Sequence, residues 1–189
     1  MKSVDGNEHI ELRTGKLPLG VDSKTKVLTT IDYSHHEIHD GNHFLYTDAQ
    51  ELASGATGDY LITVKNSTKW PHMLFDLSGS AITQYLLYEA TDRVGVTLET
   101  VGNSNRNSAN ATPETTIHKG VTGGSTNGTL IHEFKGGSAT NQSKSGSNTR
   151  NDEEIILKQN TKYLLKVGSF TASNLTNVRI AFYEHANKA

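Results

Sequence analysis

The chain has 189 residues, enough for one domain with its own hydrophobic core but not for a second full domain. Its formal net charge of -2 and its scattered Lys and Arg residues exclude the basic surface that nucleic-acid or anionic-membrane binding requires. The absence of cysteine excludes disulfides, thiolate nucleophiles and zinc–thiolate sites.

Residues 1–30 are predicted to form an extended N-terminal arm outside the core. The segment from Lys16 to Thr30 combines Pro18, Gly20 and a polar centre, so it has no apolar face to bury by itself. The first residues lack the apolar stretch of a signal peptide, and no later run approaches the roughly 18 residues of a membrane span. We therefore expect a soluble protein made in the cytoplasm, whose arm contacts a neighbouring subunit.

The next stretch, IDYSHHEIHDGNHF, covers residues 31–44 and contains four of the nine histidines. Alternating side chains favour a strand over residues 31–39. The Asp40-Gly41-Asn42 sequence predicts a turn in which Gly41 adopts a positive φ. A second strand is expected to begin at His43.

On such a strand His35, Glu37 and His39 share one face, and they are the only plausible metal-ligand set in the chain. His35 and His39 would then lie about 13 Å apart, at roughly 3.3 Å per residue, too far for one ion to bind both. The prediction is therefore no metal and no cofactor, with the histidines engaged in local hydrogen bonds.

The segment TDAQELASG, Thr47 to Gly55, is predicted to be a brief helix, because Thr47 or Asp48 could cap it and Gly55 could end it. It is the only helix that the sequence indicates. All other apolar runs are short and separated by turn formers.

Nine runs are predicted to be strands because their apolar residues alternate or are bounded by turn residues. Tyr60, Ile62 and Val64 alternate with polar or outward positions, and Val178, Ile180 and Phe182 do the same. The pattern predicts an all-β antiparallel sandwich over residues 31–189, with a jelly roll as the expected topology. The runs are HFLYT, DYLITVKN, HMLFDLSG, ITQYLLYEA, VGVTLET, TLIHEF, EIILK, TKYLLKV and NVRIAFYE.

Two polar segments are predicted to be surface loops, residues 101–114 and residues 136–152. They could instead be exposed tips that become ordered only in an assembly. The sequence alone does not decide between these interpretations.

Catalytic motifs are missing from the sequence, which has no G-x-S-x-G elbow and no P-loop. A glycosidase pair such as Glu89 and Glu184 remains open, since two catalytic carboxylates need not be close in sequence. The simpler interpretation is that each residue ends a buried strand. Trp70 is assigned to core or interface packing rather than to a sugar-binding platform. No catalytic residue is proposed, and we expect that the protein is not an enzyme.

Six segments are informative as a set: IDYSHHEIHDGNHF, STKWPHMLFDL, YEATDR, RNSANAT, EIILKQNTKYLLKV and FYEH. Together, over about Val27 to His185, they resemble virion structural proteins of tailed bacteriophages. This resemblance implies a capsid decoration, or cement, protein on the outside of the shell.

The expected partner is then the major capsid protein, and the expected location is the capsid surface of the virion. A homotrimer is expected because icosahedral shells offer quasi-threefold sites and closed symmetry prevents unlimited association. The alternative is a head-fibre, tail-fibre or receptor-binding module that recognises host glycan.

Overall fold

The computed structural model describes residues 33–107, 112–138 and 154–186. Contacts divide the chain into two units, Met1–His36 and Glu37–Ala189, and the sandwich belongs to the second. The predicted arm, residues 1–30, lies outside the described residues. The elements are α1 (Tyr33–His39), β1 (His43–Leu52), β2 (Thr57–Val64), β3 (Lys69–Gly79), β4 (Thr83–Glu89), β5 (Thr97–Leu98), β6 (Gly102–Asn103), β7 (Thr116–Lys119), β8 (Thr129–Gly136), β9 (Ile155–Ile156), β10 (Thr161–Ser169) and β11 (Asn174–Ala186).

The strands form two antiparallel sheets that pack face to face, so the predicted β-sandwich is confirmed. Sheet 1 has the order β6-β1-β11-β3-β9. Sheet 2 has the order β5-β7-β2-β10-β4-β8. All nine predicted runs contain a strand of the structure, whereas β6 and β7 were not predicted.

The pairing order resembles one long hairpin wound around the core. From the ends of the hairpin inward, β1 pairs with β11, β2 with β10, β3 with β9 and β4 with β8. Two further pairs join these strands into sheets, since β11 also pairs with β3 in sheet 1 and β10 also pairs with β4 in sheet 2. Consecutive strands therefore alternate between the two sheets from β1 to β4 and again from β8 to β11.

The core between the sheets confirms the predicted alternation. Tyr60 and Ile62 on β2 are fully buried, as are Ile180 and Phe182 on β11. Burial of each large aliphatic side chain contributes about 1.5–3 kcal/mol relative to exposure. The inward faces thus account for most of the apolar stabilisation.

The predicted strand over residues 31–39 is wrong, because Tyr33–His39 is a helix. Its C-terminus is closed by two backbone hydrogen bonds, from Gly41 N–H to the Ile38 carbonyl (3.1 Å) and from Asn42 N–H to the Glu37 carbonyl (3.0 Å). This is a Schellman cap, which requires a left-handed residue, and Gly41 has φ 75°. The turn, the positive φ of Gly41 and the strand start at His43 are confirmed. Asp-Gly-Asn ends helices as readily as it joins strands, and here it does the former.

The predicted helix over Thr47–Gly55 is also wrong, since β1 continues to Leu52 and pairs with β11 along its whole length. Ala, Gln, Glu and Leu favour a helix only by tenths of a kcal/mol per residue. Ten consecutive cross-strand partners outweigh that preference. Gly55, with φ 77°, lies in the turn after the strand instead of ending a helix.

The predicted loops are described only in part. Residues 102–103 form β6 and pair with β1, so the first loop contributes to sheet 1. In the second segment, Gly136 ends β8, and residues 139–153 lie outside the described residues.

Candidate interaction surfaces

The predicted metal-ligand set lies on α1 rather than on a strand. A helix rises about 1.5 Å per residue, so His35 and His39 are one turn apart and the predicted separation of 13 Å is wrong. Glu37, two positions from each, is on a different side of the helix. Its carboxylate is buried and accepts a hydrogen bond from Asn42 Nδ2 at 3.3 Å. In the described part of the chain, no group of three or more His, Asp or Glu side chains is arranged to hold a metal ion.

The first candidate carboxylate, Glu89, ends β4 in sheet 2. Its Oε1 lies 2.6 Å from Lys158 Nζ, and its Oε2 accepts a hydrogen bond of 3.1 Å from the Tyr163 hydroxyl. The Lys158 ammonium, more than any other group, holds the pKa of Glu89 below its usual range. A glycosidase acid needs a raised pKa, so Glu89 is suited to an ion pair and not to proton donation.

The second candidate carboxylate, Glu184, is on β11 in sheet 1 and is 2 % exposed. Backbone N–H groups of Glu114 and Thr115 donate to its two oxygens at 2.9 and 2.7 Å. The side chain thus anchors the segment that leads into β7. Both carboxylates of the candidate glycosidase pair already accept hydrogen bonds from other groups of the protein, and they lie on different sheets.

The segment from Ala90 to Glu99, here called the strap, follows β4 and contains β5, the edge strand of sheet 2. Thr91 N–H donates to the Lys162 carbonyl at 3.3 Å, and Lys162 Nζ donates to the Arg93 carbonyl at 3.3 Å. A Cβ on Gly95 would lie 2.3 Å from the Cβ of His118, so the strap passes very close to β7. The strap is therefore held against β10 at its start and against β7 further on.

Two leucines on the outer side of sheet 2 are buried. Leu61 on β2 and Leu164 on β10 alternate with core residues, and so they face away from the main core. They are nevertheless only 2 % and 1 % exposed. The two side chains are cross-strand partners and form a small second apolar contact on the outer side of sheet 2.

The loop from Gly120 to Gly128 fixes the strap through a set of hydrogen bonds here called the clamp. The Asp92 carboxylate accepts bonds from Ser125 N–H, Ser125 Oγ and Thr126 N–H at 2.8–3.0 Å. These donors, with the backbone N–H of Ser125 first, lower the pKa of Asp92 to about 2. Arg93 donates to the Gly123 carbonyl at 2.7 Å and to Asn127 Oδ1 at 3.1 Å.

The strap presents the most exposed aliphatic side chains of the described residues. Val94, Val96 and Leu98, here called the strap patch, are 53 %, 65 % and 63 % exposed. No charged residue occurs between Val94 and Leu98. An uncharged apolar patch on a fixed backbone is typical of a protein-binding surface.

A second feature, here called the ring cluster, is on the outer face of sheet 1. It consists of Trp70 and His72 on β3 with Tyr183 and His185 on β11. The His72 ring stacks on Tyr183 with centroids 4.7 Å apart, and it lies 4.6 Å from the ring of His185. Trp70 is paired with His185 across the strands and is 38 % exposed. Of the two expected roles of Trp70, core packing is therefore wrong, and interface packing stays a prediction.

Glu154, just before β9, organises the ring cluster. Its Oε1 lies 2.6 Å from His72 Nδ1 and accepts a bond of 2.9 Å from the Tyr183 hydroxyl. About a third of the Glu154 side chain stays exposed. Sequence reasoning missed this cluster because its members come from three separate segments: Glu154 is 82 positions from His72 and 29 from Tyr183. The alternation of Trp70 with His72 and of Tyr183 with His185 was the available signal.

The chain matches no family model, no curated protein and no solved structure. Within residues 33–107, 112–138 and 154–186, no helix is long and apolar enough to cross a membrane.

Proposed function

We propose that this protein is a bacteriophage capsid decoration protein, which binds the outside of the shell and stabilises it. The observation that carries the proposal is the strap patch: Val94, Val96 and Leu98 stand exposed on a backbone that the clamp holds in place. Preorganised apolar side chains lose little conformational entropy on binding. The partner is the major capsid protein, and the role is structural rather than enzymatic.

The size of the patch is consistent with many weak, equivalent contacts. Three aliphatic side chains offer on the order of a few hundred Å² of apolar surface. A stable pairwise interface buries about 800 Å² per partner, so the strap patch alone would bind weakly. A repeated lattice and the predicted arm, residues 1–30, would add further contacts. That combination suits a protein that occupies many equivalent sites.

The winding order of the strands also supports the proposal. We infer the jelly-roll topology from the pairs β1–β11, β2–β10, β3–β9 and β4–β8, each made by strands that are symmetric about the hairpin end. Jelly rolls are common among viral capsid domains, although lectins and cupins share them. The fold alone does not assign the function, so the strap patch remains the main argument.

The decisive experiment is quantitative mass spectrometry of particles purified from the phage whose genome encodes the chain. We expect tens to hundreds of copies per particle. The Val96→Asp variant, added to particles that lack the protein, should bind at a level at least tenfold lower, because binding would bury a charge. Leu175→Asp is the matched control, since Leu175 is 49 % exposed on sheet 1 and should tolerate the change. Detection only in infected-cell lysate would contradict the proposal.

A homotrimer is the oligomeric state that we propose, because closed threefold symmetry fits the quasi-threefold positions of a shell. Light scattering of the purified protein should give three times the mass of the 20.6 kDa chain. A monomer both in solution and on the particle would contradict this part of the proposal.

The copy number separates the main proposal from the alternative of a fibre or receptor-binding module. A decoration protein covers the shell, whereas a fibre or receptor-binding module is present in a few copies at the tail or at a vertex. Labelled particles viewed by electron microscopy would distinguish the two arrangements.

A further inference from the structure

We propose that the ring cluster is a carbohydrate-binding site, in which Trp70 stacks on a sugar ring and Glu154 accepts hydrogen bonds from its hydroxyls. The strap patch lies over the outer face of sheet 2, and the ring cluster lies on the outer face of sheet 1. Because the sheets pack face to face, these two surfaces are on opposite sides of the sandwich. The inference therefore goes beyond shell binding and does not depend on it.

The aromatic part of the site is an ordered platform. The ring of Tyr183 is inclined by 15° to each of the two histidine rings, which are tilted by 31° to each other. Trp70 is paired with His185 across the strands, and its indole is the most exposed ring of the group. Ile156, paired with His72 and 49 % exposed, extends the platform with an aliphatic side chain. The C–H face of a pyranose ring needs this kind of flat apolar support.

The polar part of the site is one oriented carboxylate. The two described donors to Glu154, His72 Nδ1 and the Tyr183 hydroxyl, bind the same oxygen, Oε1. No described residue donates to Oε2, and a third of the side chain is exposed. Oε2 is thus fixed in direction and able to accept from a ligand hydroxyl. A side chain held by two hydrogen bonds needs little further ordering on binding.

The same features favour a sugar over other ligands. Phosphate groups would meet the Glu154 carboxylate, so nucleic acid is disfavoured, in agreement with the net charge of -2. An ammonium ligand is held best when several ring faces enclose it. Here the rings of His72, Tyr183 and His185 lie against one another, and Trp70 offers the exposed indole. A neutral ligand with an apolar face and hydroxyls on its rim matches the two accessible groups, the Trp70 indole and Glu154 Oε2.

The chain has one tryptophan, so its fluorescence reports directly on the proposed site. The full-length protein would be titrated to millimolar concentration with neutral oligosaccharides of glucose, galactose, mannose and N-acetylglucosamine. We expect at least one to change the emission of Trp70 in a saturable way. Glu154→Gln retains an acceptor but loses the charge, and Glu154→Ala removes the acceptor, so we expect the affinity to fall about tenfold or more in the alanine variant and less in the glutamine variant.

The Trp70→Ala variant has no tryptophan fluorescence, so its binding to the best oligosaccharide would be measured by calorimetry. We expect no measurable heat of binding for this variant. Phe170→Ala is the matched control, because Phe170 is an exposed aromatic residue outside the site and its loss should leave binding unchanged. Far-ultraviolet circular dichroism would confirm that each variant is folded.

Saturable binding that is lost in Trp70→Ala and reduced in Glu154→Ala supports the site. Absence of binding to every oligosaccharide, or binding that survives both substitutions, overturns it. Binding of choline or arginine amide in place of the sugars would assign the ring cluster to cationic ligands and would likewise overturn the proposal. Since the titration uses no particles, its outcome is independent of whether the protein binds a capsid.

Discussion

The two outer faces of the sandwich differ in what holds them together. On sheet 2, the strap is held largely by backbone groups, with amides of Ser125 and Thr126 bound to Asp92 and carbonyls bound to Arg93. On sheet 1, the ring cluster is held by side chains that meet one another, through stacking and through Glu154. The first arrangement fixes a backbone and leaves aliphatic side chains outward. The second fixes side chains and leaves polar and aromatic atoms outward.

This difference is the reason for assigning a different partner to each face. A fixed backbone with exposed valine and leucine offers shape and apolar area, which another protein surface can cover. An ordered carboxylate beside an exposed indole offers direction and hydrogen bonding, which a small polar ligand can use. Four predictions test whether the strap is fixed through its backbone and the ring cluster through its side chains.

The largest expected effect comes from a buried leucine on the outer side of sheet 2. Leu164→Ala removes a side chain that is 1 % exposed, so we expect a loss of about 2–5 kcal/mol in the free energy of unfolding. Leu74 faces outward from sheet 1 and is only partly buried, so Leu74→Ala should cost clearly less. Urea denaturation of both variants measures the difference. Equal losses would show that the outer side of sheet 2 is no better packed at Leu164 than that of sheet 1 is at Leu74.

The next effect concerns the two adjacent glycines of the clamp loop. Gly123 and Gly124 both have positive φ, 60° and 69°, so alanine at either position costs about 1–2 kcal/mol in backbone strain. A Cβ on Gly124 would also lie 2.3 Å from Asp92 Oδ1, whereas nothing lies within 4 Å of one on Gly123.

Gly124→Ala should therefore lower the free energy of unfolding more than Gly123→Ala does, and it should also displace the strap. The same denaturation experiment compares the two variants. Identical losses would mean that the contact with Asp92 is easily relieved and that the clamp is not rigid.

Strong acid should weaken the clamp by protonating Asp92. The folded pKa of Asp92 is about 2, below the usual value of 3.8, so the unfolded chain binds more protons between these values. The contribution of the ionised Asp92 to the free energy of unfolding is therefore fully present above about pH 4, and it is lost as the pH falls toward 2. Wild type should lose more stability across this range than Asp92→Asn does. Parallel curves would show that the amides of Ser125 and Thr126 do not favour the ionised form.

The sequence predicted the regular part of this architecture far better than either outer face. Apolar alternation in residues such as Tyr60 and Ile62 is a local signal, and it located all nine strands that carry it. Strand β7 was missed because Thr116–Lys119 contains one aliphatic residue, Ile117, and the helix was missed because Gly41 serves a cap as well as a turn.

The surfaces depend on contacts between residues that are far apart in sequence, and no local pattern encodes these. Asp92 binds residues 33 and 34 positions away, and His72 meets Glu154 at a distance of 82 positions. Val96 was correctly placed in an apolar run, yet the run gave no indication that the residue would be exposed. The sequence thus located the elements, but it did not reveal which side chains are presented to a partner.

The smallest expected effect measures how tightly Glu154 is bound within the ring cluster. Tyr183→Phe removes the hydroxyl that donates to Glu154 and keeps the stack on His72. In a double-mutant cycle with Glu154→Ala, which removes the acceptor, we expect a coupling of about 0.5–1 kcal/mol in the free energy of unfolding, because the bond is only partly buried. Glu133→Ala is the matched control: Glu133 bonds to Gln84 on sheet 2, and its combination with Tyr183→Phe should be additive. Additivity with Glu154→Ala as well would mean that the hydroxyl does not hold the carboxylate, and Oε2 would then have no fixed direction toward a ligand.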